Sequence, residues 1–228
     1  PRNRLCFRVH PPIILHIAYT RFFPICQGDT TVLVANGGTH FLWSTGDTTQ
    51  SIKAYTSQVY RVTVSDDFGC SSNAQKEVTV NVVPTVSVLG NDHFCTGSTT
   101  TLYADGTNIA SYKWNGTTPG QSLLVSAPGT YTVVVTSAAN CTASASMTVT
   151  QNDNPVVNVY GNQSFCEGES TVLLASGGTS YVWRNAFNEV LATSPELNVN
   201  VGGIYSVTAT NTQGCSSILS VRVTEKQL

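Results

Sequence analysis

Charge is scarce in this sequence. Only 11% of its 228 residues are Asp, Glu, Lys or Arg, against roughly 25% in ordinary soluble domains. With 11 Lys and Arg set against 13 Asp and Glu, the formal net charge is −2. No basic excess exists to neutralise phosphates, which argues against nucleic acid or an anionic membrane surface as a partner. Long apolar runs are missing too. The run Pro12-Ile13-Ile14-Leu15 is cut by His16 and continues only through Ile17 to Tyr19, about half of what a membrane-spanning helix needs. Methionine occurs once, at position 147, and the first residue is Pro1, so the sequence reads as a processed chain or as part of something longer. Yet 41% of the residues are hydrophobic, enough to argue against a disordered chain.

Chemical motifs are equally sparse. His10, His16, His40 and His93 are scattered, and none stands in an H-E-x-x-H or nucleophile-elbow arrangement that would set a base beside a metal or a serine. The carboxylates fall in turn-like pairs such as Asp66-Asp67 and Glu167-x-Glu169, without the multi-oxygen spacing of a calcium loop. Seven cysteines contain no C-x-x-C pair, and no Gly-rich phosphate loop links a strand to a helix. These readings assign no catalytic residue, no metal ligand and no cofactor. The expectation is a protein that is not an enzyme.

What is present is a repeat, and it is the first thing to seek because it governs the whole architecture. Cys26, Cys95 and Cys166 lie 69 and 71 residues apart; Trp43, Trp114 and Trp183 lie 71 and 69 apart; Tyr60, Tyr131 and Tyr205 lie 71 and 74 apart. Cys70, Cys141 and Cys215 repeat the 71 and 74. Each block therefore reads Cys, Trp, Tyr, and a second Cys ten residues beyond the Tyr.

Inside a block the hydrophobic period is two, as in Tyr60-x-Val62-x-Val64, Tyr131-x-Val133-x-Val135 and Tyr205-x-Val207-x-Ala209, which is the pattern of strands with one face on a core. Turn signals punctuate the strands: Asn36-Gly37-Gly38, Asp105-Gly106 and Ser176-Gly177-Gly178 after the first strand, then Asp67-Phe68-Gly69 and Thr212-Gln213-Gly214 before the second cysteine. The fold expected is all-β: three tandem immunoglobulin-like antiparallel β-sandwiches with one disulfide each. The expected boundaries are 1–12 for an N-terminal arm or the tail of a preceding unit, then 13–83, 84–154 and 155–228 for the three domains. The joins, Val83-Pro84 and Asn152-Asp153-Asn154-Pro155, are too short to be flexible linkers, so the array is expected to be semi-rigid.

Proximity within blocks suggests the bridges Cys26 to Cys70, Cys95 to Cys141 and Cys166 to Cys215, and with them an oxidising compartment. Antibody domains place the Tyr two residues before the second cysteine. Here the gap is ten, so the bridge is expected to staple one end of a sandwich while Trp43, Trp114 and Trp183, with Tyr60, Tyr131 and Tyr205, fill the core.

The strings Phe165-Cys166-Glu167-Gly168, Leu173-x-Ala175-x-Gly177-Gly178, Tyr181-x-Trp183 and Gly203-Ile204-Tyr205 resemble the immunoglobulin-like or PKD-like repeats of large Bacteroidota surface and gliding-associated proteins. The middle block departs from the pattern at Asp105-Gly106 and Ala139-Asn140-Cys141, and the first has Ile25 where Phe is usual. The resemblance implies an extracellular or cell-surface location and a role as stalk, adhesin spacer or filament building block. It also implies O-glycosylation at Asp-Thr-x signals, here Thr30 and Thr48, which would outrank the sequons at Asn115 and Asn162.

Residues 1–12 fit no block. They read as the tail of a preceding repeat or as a donor strand that, within an arm spanning residues 1–23, completes a neighbouring subunit's sheet. Cys6 would then be unpaired or intermolecular. The leading expectation is a structural rod or filament subunit whose partners are copies of itself or neighbouring repeats. The competing one is an adhesin or glycan-binding module using an aromatic cluster such as Tyr181, Trp183 and Phe187. Trp183 is the weakest member of that cluster, since its counterparts recur in every block; Phe187 has none.

Overall fold

The computed structural model describes residues 16–19 and 25–227. The first block holds β1 (His16–Tyr19), β2 (Ile25–Cys26), β3 (Thr31–Asn36), β4 (His40–Trp43), β5 (Ser51–Ala54), β6 (Gln58–Ser65), β7 (Ser71–Val78) and β8 (Val80–Asn81). The second holds β9 (Thr85–Leu89), β10 (His93–Cys95), β11 (Thr100–Thr107), β12 (Ser111–Trp114), β13 (Thr118–Pro119), β14 (Ser122–Val125), β15 (Gly129–Thr136) and β16 (Thr142–Asn152). The third holds β17 (Asn158–Tyr160), β18 (Ser164–Cys166), β19 (Thr171–Ser176), β20 (Ser180–Arg184), β21 (Val190–Ala192), β22 (Glu196–Val199), β23 (Gly203–Thr210) and β24 (Ser216–Lys226). No helix occurs among the described residues.

One strand order recurs. A three-stranded sheet runs β1-β3-β5, β9-β11-β14 and β17-β19-β22; its companion runs β10-β16-β15-β12-β13 in the second block and β18-β24-β23-β20-β21 in the third. In the first block the companion is divided into β4-β6-β7 and β2-β8 because the last strand is interrupted at Thr79. This is the immunoglobulin-like sandwich, all-β as expected, with one difference. The short strand that carries the first cysteine pairs parallel, not antiparallel, with the last strand of its block.

Alternation sets the cores. Along β6, Tyr60, Val62 and Val64 are buried while their neighbours face outward, and β23 does the same with Tyr205, Val207 and Ala209. Around Trp43 gather Leu33, Ala35, Ile52 and Val78; around Trp183 gather Phe165, Leu173, Leu197 and Val223. The strand after the first cysteine carries apolar side chains on both faces: in β19 Leu173 is fully buried, whereas Val172 and Leu174 remain 51% and 42% exposed.

The chain forms two compact units. One comprises the chain to Leu89 with Tyr103–Leu123 and Thr132–Ser146; the other comprises Gly90–Leu102, Leu124–Tyr131 and Met147 onward. The division passes through the middle block, and each unit contains one disulfide that ties a block to the next. Of the proposed N-terminal arm, His16–Tyr19 pairs with Leu33–Asn36 of its own chain. These four residues thus complete their own sheet; residues 1–12 and Cys6 lie outside the described residues.

Candidate functional site: the cysteine joints

The two described disulfides do not close within blocks. Cys26 is bonded to Cys141 and Cys95 to Cys215, with Cα atoms 5.6 and 5.5 Å apart across 115 and 120 residues of sequence. The expected bridges Cys26 to Cys70, Cys95 to Cys141 and Cys166 to Cys215 are therefore corrected, and strand register gives the reason. Cys26 stands opposite Asn81, Cys95 opposite Asn152 and Cys166 opposite Lys226, each at the far end of the block's last strand. The second cysteine of each block precedes the start of that same strand, eleven residues earlier. At about 3.3 Å per residue the two sites are about 35 Å apart. A disulfide tolerates at most about 7 Å between Cα atoms. One cysteine sits at the exit pole of its sandwich and the other at the entry pole, so the partner within reach belongs to the adjoining block.

Local turns hold both kinds of cysteine in place. After each exit-pole cysteine comes x-Gly-x: the backbone N–H groups of Asp29, Ser98 and Glu169 donate to the carbonyls of Cys26, Cys95 and Cys166 at 2.9, 2.8 and 3.0 Å. Gly28, Gly97 and Gly168 take φ of +93°, +82° and +84°, the left-handed value the third position of such a turn requires. Before each entry-pole cysteine the chain also turns left-handed, at Gly69, Asn140 and Gly214. There a polar residue four positions back accepts from the cysteine N–H: Asp66 Oδ1 at 2.9 Å, Ser137 Oγ at 3.1 Å and Asn211 Oδ1 at 2.9 Å. Such Asx and Ser turns fix the loop backbone without help from a sheet.

The joints themselves are polar and hydrogen-bonded around a buried sulfur. Cys141 and Cys215 have no exposed surface. Their Sγ atoms lie 4.0 and 3.9 Å from the carbonyls of Asn81 and Asn152, contacts of van der Waals kind because a disulfide sulfur has no proton to donate. In the first joint Asn108 Nδ2 donates to the carbonyl of Val82 at 2.9 Å. In the second, Asn211 Nδ2 donates to the carbonyl of Asp153 at 2.9 Å and Asn154 Nδ2 to that of Thr96 at 3.1 Å. Cys70 is disulfide-bonded as well. Cys166 is a free thiol of intermediate exposure.

No family model matches the sequence, and no curated protein matches it. Solved structures resemble the fold at low identity. The three N-terminal domains of the bacteriophage RB49 Highly Immunogenic Outer Capsid protein align over 94% of this chain and 99% of theirs, at 14% identity and a TM-score of 0.41. A structure concerning host cell surface retention of a 1.5-MDa bacterial ice-binding adhesin aligns over 96% and 99%, at 14% identity and 0.38. Immunoglobulin domains 1–5 of Sidekick-1 align over 96% of this chain at 13% identity and 0.35, the chain spanning 60% of that structure. The strand order described above is what establishes the fold.

The remaining residues fall into separate places. Trp43, Trp114 and Trp183 are buried on the third main strand of their blocks, and each indole N–H donates to a backbone carbonyl: Thr49 at 2.9 Å, Gly120 at 3.1 Å and Pro195 at 3.3 Å. Tyr60 and Tyr205 are buried, while Tyr131 is half-buried. All three phenols reach the carbonyl four residues upstream, at Thr56, Ala127 and Val201. That is the tyrosine corner of immunoglobulin-like domains, built at the start of the strand before the entry-pole turn. It accounts for the ten-residue gap, because the second cysteine here lies beyond the strand instead of on it. Burial pushes the Tyr205 phenol up; at Tyr60 burial acts the same way but hydrogen bonds with Thr56 and Gln58 outweigh it and the net direction is down.

The aromatic trio does not converge. Trp183 is in the core, Tyr181 is tethered by its hydroxyl to both backbone groups of Gly178, and Phe187 stands 86% exposed in the turn between β20 and β21. Thr30, Thr48, Asn115 and Asn162 are all exposed, although Asn115 Oδ1 already accepts from the N–H of Thr132. Asp67 meets His40 at 3.0 Å and Asp92 meets His93 at 2.8 Å, all at the surface. Among the described residues no group of three metal-ligating side chains occurs. Sequence reasoning missed the joint residues Asn81, Asn108, Asn152 and Asn211; the signal available was the recurrence of Asn at the last-strand exit, at Asn81 and Asn152, matched to the two linked cysteines.

Proposed function

We propose that the chain is a non-enzymatic structural segment of an extracellular bacterial surface protein, a rod or filament subunit built from tandem Ig-like domains. The observation that carries this reading is the direction of the two described disulfides, Cys26–Cys141 and Cys95–Cys215, each of which ties a block to its successor. A covalent bond at a joint adds nothing to an individual sandwich core. It limits bending and pull-out between neighbours, which suits a load-bearing stalk. Two disulfides also fit an oxidising, extracellular setting. The partners are then neighbouring repeats or copies of the same protein, and strand donation by residues 1–12 is one route of assembly. Resemblance to Bacteroidota surface repeats supports the same setting, with Thr30 and Thr48 as exposed sites for sugar that would solvate a surface poor in charge.

The test is small-angle scattering with negative-stain imaging of the oxidised and the fully reduced chain. An elongated, stiff particle that becomes variably bent on reduction is the expected outcome. A particle whose dimensions ignore reduction overturns the reading. A second reading, an adhesin or glycan-binding module, is favoured by Phe187, which at 86% is the most exposed of the large apolar side chains among the described residues. A glycan array on which Phe187→Ala abolishes binding would support it; an array with no hit would dismiss it.

A further inference from the structure

Cys26, Cys95 and Cys166 occupy one repeated position. Each ends a short strand parallel to its block's last strand, each is followed by the same Gly turn, and the next residue's N–H donates to the last strand: Gln27 to Asn81, Thr96 to Asn152 and Glu167 to Lys226, at 2.8, 2.9 and 3.0 Å. Two of the three are bonded to the entry-pole cysteine of the block that follows, whose sulfur rests on the carbonyl of Asn81 or Asn152. At the third, Lys226 presents the equivalent carbonyl and Cys166 is a free, partly exposed thiol.

We propose that Cys166 is the bonding site for the entry-pole cysteine of a further immunoglobulin-like repeat following in the same polypeptide, making the staple a periodic device that each repeat passes to the next. A second copy of this chain is the poorer occupant, because its entry-pole cysteines Cys70, Cys141 and Cys215 are all disulfide-bonded already. The bond forms by exchange with a disulfide oxidant. The two thiols lose two protons and two electrons, and the oxidant's disulfide is reduced to two thiols. This inference rests on the reading of the joints as inter-repeat staples, and it names what the third exit pole takes.

Register supplies the experiment. Lys226 corresponds to Asn152, so Leu228 corresponds to Asn154, and a second copy of residues 155–228 appended directly after Leu228 reproduces the natural join. The extended chain is oxidised in a glutathione mixture, alkylated with N-ethylmaleimide, digested, and its peptides mapped by mass spectrometry without reduction. The expected result is a peptide joining Cys166 to the appended copy's equivalent of Cys215, with Cys26–Cys141 and Cys95–Cys215 unchanged. Cys166→Ala in the same extended chain should leave the appended cysteine alkylated. Alkylated Cys166, a Cys166-linked dimer of two chains, or an appended cysteine still bonded in Cys166→Ala overturns the inference. Those outcomes leave the two existing joints intact, so they are distinguishable from failure of the structural reading itself.

Discussion

The interior of a block and the joint between blocks are held by different forces. Each interior is apolar, keyed by a buried Trp and a tyrosine corner, and neither described disulfide lies within one. Each joint is made of asparagine amides, backbone carbonyls and one disulfide. The two described disulfides thus sit where the surrounding contacts are polar, not inside an apolar core. A sandwich of about 70 residues can supply its own core, whereas a polar contact between sandwiches gains little from the hydrophobic effect and depends on a bond to persist.

The sharpest way to break the comparison is to damage an interior. Trp183→Ala removes a fully buried indole and should cost about 3–5 kcal/mol; calorimetry should show the third block melting apart from, and well below, the first. Replacing a joint comes next. Cys95→Ser with Cys215→Ser should lower stability by about 2–4 kcal/mol through release of the denatured chain, while hydrogen exchange of the buried strand amides at Val207 and Val221 stays slow. Collapse of that protection would show that the bond supports the sandwich after all.

Asn211→Ala sharpens the comparison between the two joints. It deletes the donor to Asp153 and the acceptor of the Gln213 and Cys215 amides, a loss of about 1–2 kcal/mol. Dithiothreitol should then reduce Cys95–Cys215 several-fold faster while Cys26–Cys141 keeps its rate. Tyr205→Phe should cost about 1 kcal/mol, and less is expected from Tyr131→Phe, whose side chain is more exposed. The Tyr205 phenol is raised by burial, so the stability tied to its neutral form is complete below the ordinary tyrosine pKa of about 10 and is lost as pH rises beyond it. A melt of the third block that advances above that pH, and is blunted in Tyr205→Phe, checks the sign. Phe187→Ala should change stability by less than about 0.5 kcal/mol, since the ring touches little that folding buries.

Much of this was legible beforehand because its causes are local. The two-residue period of Tyr205-x-Val207-x-Ala209 is enough to aim three side chains inward, and Gly before Cys70 and Cys215 marks a left-handed turn wherever the strands lie. The middle block was harder to read, with Asn140 doing at φ +60° what glycine does elsewhere. Phe187 could be singled out for lacking a counterpart, but its exposure depends on how the turn after β20 leaves the sheet.

The repeat, the strands, the Trp-centred cores and the turn that holds each cysteine follow from the sequence by itself, because each depends on residues near one another in the chain. Which cysteine meets which does not. Six cysteines allow fifteen pairings, and the spacing that made Cys26 and Cys70 look like partners measures chain length, not distance in space. Only the parallel register of Cys26 with Asn81, Cys95 with Asn152 and Cys166 with Lys226 sends the two thiols of a block to opposite poles, and it is that separation, larger than any disulfide can span, that turns the staple toward the neighbouring repeat.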